Sequence, residues 1–217
     1  MKRFAAGPWW TALGLALALI AGPAAAASYD DFVQAVKNSK VGEVHALLKR
    51  GMDPNSVDPT GLPMLHVAAR EGNLDIVQAL VQAGAEIDKR DAFKETPIMF
   101  AALAGHQKIV EFLLSKEAQI NQPGWTALLY AATNGHTEIV KLLLDNSAYI
   151  DGASPNGSTP LMLAARGGHL PIVRLLLEEG ADPTLKNENG DTAISWAEKG
   201  KQTDIADLIR AKLSARK

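Results

Sequence analysis

A mainly α-helical solenoid of stacked helix-turn-helix units is the fold this sequence predicts, and three observations predict it. Residues that close apolar stretches recur at a fixed step: Gly51, Gly84, Glu117, Ser147 and Gly180 lie 33, 33, 30 and 33 residues apart. Within the stretches, apolar residues return every three or four positions, the mark of a helix with one buried face. Helix-start signals stand at matching places, at Thr96-Pro97, Thr126-Ala127, Thr159-Pro160 and Thr192-Ala193. A period of this length means units that bury their faces only against neighbours.

The clearest copy is Gly157 to Asn189. Thr159 can cap orphan N–H groups, and Pro160 suits a first helical position that needs no N–H. A short helix over about Pro160 to Arg166 carries small residues, Ala164 and Ala165, that let a neighbouring helix come close. Gly167-Gly168 ends it. Leu170, Val173, Leu176 and Leu177 then mark a second helix, and Gly180 supplies the left-handed residue after its end. Neither helix is long enough to stand alone.

Taken in chain order, residues 1–27 differ from the rest. Lys2 and Arg3 precede an apolar run, strongest from Trp9 to Ala21, followed by Gly22-Pro23 and four alanines. That pattern predicts a secretory signal peptide cut near Ala27. The alternative is an uncleaved anchor, because the uncharged stretch from Phe4 to Ala27 is long enough to span a bilayer. The predicted domain is 28–217. Its first unit, 28–60, lacks a Thr-Pro start and offers Asp30, Asp31, Gln34, Lys37 and Lys40 to solvent. Units follow at 61–93, 94–123, 124–156 and 157–189. The last, 190–217, is polar through Glu198, Lys199, Lys201, Gln202, Asp204 and Asp207. Both end units are expected to be caps that close the core with a soluble face.

The copies depart from the template in three places. Pro63-Met64 replaces Thr-Pro, removing a hydroxyl cap worth about 1 kcal/mol. Glu117 and Ser147 stand where glycine is expected, and a non-glycine residue held left-handed costs about 1–2 kcal/mol. The loop Gln119–Gly124 is three residues short, which reads either as drift between copies or as an opening for a pocket around Trp125.

The motifs resemble those of ankyrin repeats. The resemblance rests on Leu65-His66-Val67-Ala68-Ala69, Thr96-Pro97-Ile98, Thr126-Ala127-Leu128 and Thr159-Pro160-Leu161. It rests also on Gly105-His106, Gly135-His136, Gly168-His169, Gly84-Ala85 and Gly180-Ala181-Asp182-Pro183. It covers residues 30–213 and implies antiparallel helix pairs, hairpin-like loops at right angles to them, and a concave binding surface made by loop tips and first helices. With its Ala-rich leader, the chain is similar to bacterial exported ankyrin-repeat proteins.

The resemblance places one row of residues on that concave surface: Val67, Phe100, Tyr130, Leu163 and Trp196. Phe93 and Trp125 lie near the adjoining loops, with Arg70, Glu71, Thr133, Asn134 and Arg166 as a polar rim. Contiguous exposed apolar surface marks an interface, and Trp and Tyr are favoured anchors. The alternative for these side chains, Trp196 above all, is packing against the next unit.

Other chemistries find little support. The chain has no cysteine, which excludes disulfides, thiol catalysis and Cys-based zinc sites. Equivalent histidines in successive units lie too far apart to share a metal, so His66, His106, His136 and His169 are expected to make structural hydrogen bonds. No nucleophile elbow, phosphate loop or zinc-protease motif is present. Asn156-Gly157-Ser158 fits a glycosylation acceptor, but Asn-Gly also suits a loop-tip turn. Without Lys2 and Arg3, the 22 Lys and Arg fall to 20 against 24 Asp and Glu, a formal charge of −4 that argues against nucleic-acid binding. The basic end, Arg210 to Lys217, reads as a solvated tail.

The expected function is therefore a non-enzymatic protein-interaction module in the periplasm or secretory space. It is expected to need no cofactor or metal, to be free of the membrane once the leader is removed, and to be monomeric alone. An anchored scaffold is one alternative. A ligand-binding or enzymatic pocket beside 119–124 is another.

Overall fold

The computed structural model describes residues 23–215, with side chains from residue 29 onward. Its helices pair along the chain. The inner member of each pair is α1 (Pro23–Lys37), α3 (Met64–Glu71), α5 (Pro97–Ala104), α7 (Ala127–Asn134), α9 (Pro160–Gly167) or α11 (Ala193–Lys199). The outer member is α2 (Val41–Lys49), α4 (Leu74–Gln82), α6 (Gln107–Ser115), α8 (Thr137–Asp145), α10 (Leu170–Glu178) or α12 (Thr203–Ser214). Each inner helix packs on its own outer partner and on the inner helices before and after it. The leader expected over 1–27 lies, as far as residue 22, outside the described residues. Helix α1 begins at Pro23 and runs through the expected cut at Ala27-Ser28.

The helix boundaries follow from the local chemistry. Thr126, Thr159 and Thr192 accept hydrogen bonds from the backbone N–H three residues on, each at 3.3 Å. Pro63 supplies no such bond to α3. The inner helices stop at left-handed Gly72, Gly105, Gly135 and Gly168. Gly167 belongs to α9, one residue beyond the expected end, because only Gly168 takes the left-handed conformation. After the outer helices, Glu117 (φ 61°) and Ser147 (φ 67°) occupy the left-handed position that Gly51, Gly84 and Gly180 take elsewhere.

One continuous core runs along the stack. Ala68, Ala69, Ala101, Ala102, Ala131, Ala132, Ala164 and Ala165 are buried in the inner layer, where small side chains bring adjacent helices close. Ile76, Leu80, Ile109, Leu113, Ile139, Leu143, Ile172 and Leu176 fill the space between inner and outer helices. At the two ends, Asp30, Asp31, Gln34 and Lys40, and Glu198, Lys199, Lys201, Asp204 and Asp207, face solvent. Such polar faces suit the end units of a repeat solenoid.

The loops between units form fingers tied to one another. Asn55 Oδ1 accepts from Glu86 N at 2.9 Å, Asp88 from Gln119 N at 2.9 Å, and Asn121 from Tyr149 N at 2.8 Å. Asp151 continues the ladder to Asp182 N at 3.1 Å. Each finger thus satisfies a donor of the next, a repeating polar seam beside the repeating apolar core.

In the first finger, Asp58 has only 5% of its side chain exposed and accepts from Lys37 at 2.8 Å, Thr60 N at 2.8 Å and Leu62 N at 3.1 Å. Burial alone raises its carboxyl pKa, but the Lys37 ammonium and the bonds from Thr60 and Leu62 outweigh it and hold the group well below the usual carboxylate range. A folded-state pKa below the unfolded value gives stability that is present above pH ~4 and is lost as pH falls through the folded value. Asp58→Ala is expected to lower the unfolding free energy by about 2 kcal/mol at pH 7. In urea titrations the gap from wild type should narrow below pH ~4. A constant gap from pH 7 to pH 3 would contradict this role.

Candidate protein-binding groove

The centre of the inner surface is built by the third and fourth units. Tyr130, on α7, is half-buried; its hydroxyl donates to the carboxylate of Glu95 in the preceding finger. Trp125, last residue of the clipped finger, stacks on the Tyr130 ring with centroids 5.0 Å apart and planes at 23°. Burial and the Glu95 carboxylate push the Tyr130 phenol well above its ordinary pKa, so it remains a protonated donor. Trp125 is 37% exposed and Phe93 82% exposed, whereas Phe100 is half-buried. The Phe100 ring meets His66 edge-on at 5.3 Å and 78°.

Two clefts open beside these rings. One, about 290 Å³, lies between Gly61, Arg70, Asp91, Phe93, Glu95 and Phe100. The other, about 300 Å³, lies between Phe93, Glu95, Pro123, Trp125 and Pro155. A third space of about 320 Å³ is on the other side of the clipped finger, against Gln122, Tyr149 and Gly152. The short finger therefore leaves room on both of its sides, because Pro123 and Gly124 line the second and third spaces alike.

The expected apolar row is not continuous at the surface. Val67 (0% exposed) and Leu163 (3%) belong to the core. Phe100 and Tyr130, at the same register, are half-buried and pack against that core. Trp196 is also buried, at 8% exposed, and the Arg166 guanidinium lies 4.8 Å from its ring centroid. Of the polar rim, Arg70 is exposed and forks onto Glu71 through Nε and Nη2 at 3.2 and 3.1 Å. Asn134 is exposed and donates to the Tyr130 carbonyl at 2.9 Å. Phe93, Phe100, Trp125 and Tyr130 are thus brought together, with Arg70 and Asn134 at their margins; Val67, Leu163 and Trp196 are not available.

Glu95 and Leu103 were not singled out by the sequence. Glu95 aligns with Trp125 just before the threonine start, and Leu103, 37% exposed, aligns with Arg70 and Arg166. Register alone could have flagged both. Lys94 was missed as well: it is left-handed (φ 66°) where Gly61, Gly157 and Gly190 stand in the other fingers.

The histidines hold units together. Nε2 of His106, His136 and His169 lies 2.9, 3.1 and 2.9 Å from the carbonyls of Arg70, Leu103 and Thr133 in the preceding unit. A carbonyl only accepts, so each Nε2 carries the proton. His66 is fully buried, with Nε2 3.0 Å from the Glu95 carbonyl. Burial outweighs nearby acceptors and lowers its pKa, which keeps the ring neutral. Among the described residues, no group of three His, Asp or Glu side chains is placed to hold a metal ion, and no helix is long and apolar enough to cross a membrane.

Stacked helix pairs with projecting fingers and an aromatic-lined inner surface define a repeat solenoid of the protein-binding class. A family model described as ankyrin repeats in three copies matches residues 32–123, 65–153, 116–187 and 150–216. The chain belongs to the ankyrin-repeat family. It is similar to cyclin-dependent kinase inhibitor 2A of Monodelphis domestica, 39% identical over 82 residues, which are 37% of this chain and 48% of that protein. It is also similar to cyclin-dependent kinase 4 inhibitor B of Bos taurus, 40% identical over 82 residues, 37% of this chain and 61% of that protein. A third relative is the Notch-regulated ankyrin repeat-containing protein of Xenopus laevis, 36% identical over 89 residues, 39% of this chain and 78% of that protein. The chain spans about half to three-fifths of the length of the first two. These relatives are animal proteins and lend no support to the expected kinship with bacterial exported ankyrin-repeat proteins.

Proposed function

We propose that this protein is a non-catalytic interaction module that holds a partner protein on its inner surface, with Phe100, Trp125 and Tyr130 as anchors. The observation that carries this reading is the Trp125–Tyr130 stack, left open beside exposed Phe93 where the finger is short. Aromatic side chains presented on a rigid scaffold give large contact area at little cost in ordering. Two relatives are named as inhibitors of cyclin-dependent kinases, proteins that act on another protein.

The basic start, apolar run and alanines of residues 1–27 further support export to a periplasm or other secretory space. A second reading keeps this segment as a membrane anchor, because the uncharged stretch from Phe4 to Ala27 is long enough to span a bilayer. N-terminal sequencing of the exported protein separates the two: Ser28 first means cleavage, an intact Met1 means an anchor.

The test of the module is capture of a partner from the native compartment, comparing wild type with the Phe100→Ala/Tyr130→Ala variant. Each truncated anchor is expected to cost about 2 kcal/mol of binding. Equal capture by a folded double variant would overturn the assignment.

A further inference from the structure

Two observations together say what chemistry the groove is made to take. The first is internal to the fold. On the inner surface, the guanidinium of Arg166 lies 4.8 Å from the ring centroid of Trp196 in the following unit. Repeat register puts Leu103 at the Arg166 position before Tyr130, and Thr133 there one unit later. Among the described residues, therefore, a cation lies over the last aromatic residue of the row and none over the Trp125–Tyr130 pair.

The second is charge. Glu95 lines the clefts on both sides of Phe93. Among the described residues it has no ion-pair partner; its side chain accepts only the Tyr130 hydroxyl through Oε1. The cations nearby are Lys94, at the edge of the same cleft, and Arg70, whose guanidinium is occupied by Glu71. Asp91 adds a second carboxylate beside Glu95, although two backbone N–H groups, those of Phe93 and Glu95, already donate to it. An aromatic ring, a carboxylate and a cleft of about 300 Å³ fit a planar cation on a flexible stem.

We propose that the cleft between Phe93 and Trp125 receives an arginine side chain of the partner protein, its guanidinium stacked on Trp125 and paired with Glu95. This rests on the inner surface being the docking face. It identifies the partner segment as basic at the point of contact. Arginine suits the site better than lysine, because a flat guanidinium can stack on the indole and still direct two N–H groups at one carboxylate.

The test uses the full chain labelled with 15N and the tripeptide acetyl-Gly-Arg-Gly-amide as probe, with the citrulline and leucine analogues as controls. The indole N–H signal of Trp125, assigned with a Trp125→Phe variant, is followed by NMR; that of Trp196 is the internal reference. The arginine peptide is expected to move the Trp125 signal in a saturable way and to leave Trp196 unmoved. Citrulline, of the same shape but uncharged, should bind at least fivefold more weakly. Glu95→Gln keeps an acceptor for the Tyr130 hydroxyl and should weaken arginine binding by a similar factor. Equal binding of arginine and citrulline, an unchanged response in Glu95→Gln, or no response at Trp125 would each overturn the proposal. Stronger binding of the leucine peptide would overturn it too, while leaving the groove as an apolar docking site. Failure of the groove itself shows separately, as undiminished partner capture by Phe100→Ala/Tyr130→Ala.

Discussion

Gly105→Ala is expected to destabilise the domain by about 2.5 kcal/mol, about 1 kcal/mol more than the same change at Gly84. Both glycines are left-handed, at φ +81° and +97°. Each substitution therefore carries the backbone cost of about 1–2 kcal/mol for a side chain in that region. Their surroundings differ. A Cβ at Gly84 meets nothing within 4 Å, whereas a Cβ at Gly105 falls 2.6 Å from Cε1 and 2.9 Å from Nδ1 of His136. The imidazole must shift, which disrupts its 3.1 Å bond to the Leu103 carbonyl. Losing this solvent-accessible bond adds about 0.5–1.5 kcal/mol. The same glycine–histidine contact recurs at Gly72 with His106 and at Gly135 with His169. At the last junction Gln202 fills the space against Gly168. Urea unfolding of the two variants reads the difference directly. Equal losses would mean that the histidine contact contributes nothing beyond the glycine backbone.

Leu163→Ala is expected to cost about 3 kcal/mol of stability, within the usual range for a buried leucine, whereas Tyr130→Ala at the same register should cost mainly partner binding. Leu163 is 3% exposed, inside the core of the fifth unit. Tyr130 is half-buried and contacts Trp125 and Glu95. The two residues occupy equivalent places in neighbouring repeats but differ in burial. Thermal unfolding and partner affinity, measured on both variants, separate the two roles. A stable Leu163→Ala variant with weakened binding would restore that residue to the interface.

The contrast between these two positions shows what the sequence could carry. Helix starts at Thr126, Thr159 and Thr192 were legible because a cap is a local device, complete within four residues. The left-handed backbone at Glu117 and Ser147 was legible because fixed register put both where glycine stands in other units. Which members of the row are buried was legible only in part: packing was the stated alternative, above all for Trp196. Whether Val67 or Trp196 reaches solvent depends on what the next unit lays beside it, such as Arg166 over Trp196. The Glu95–Tyr130 contact joins residues 35 apart in two successive units, so neither residue's own neighbourhood announces it. Repeat periodicity specifies the scaffold; differences between copies specify the site, and they act through contacts between units.

The most direct test of the account is the footprint of the captured partner, read by hydrogen exchange on the full chain with and without it. The account predicts slowed exchange in the fingers around Asp91–Glu95 and Asn121–Thr126 and at the exposed ends of α5 and α7, with the outer helices α6, α8 and α10 unchanged. Slowing confined to those outer helices, with the fingers beside Trp125 unaffected, would contradict it.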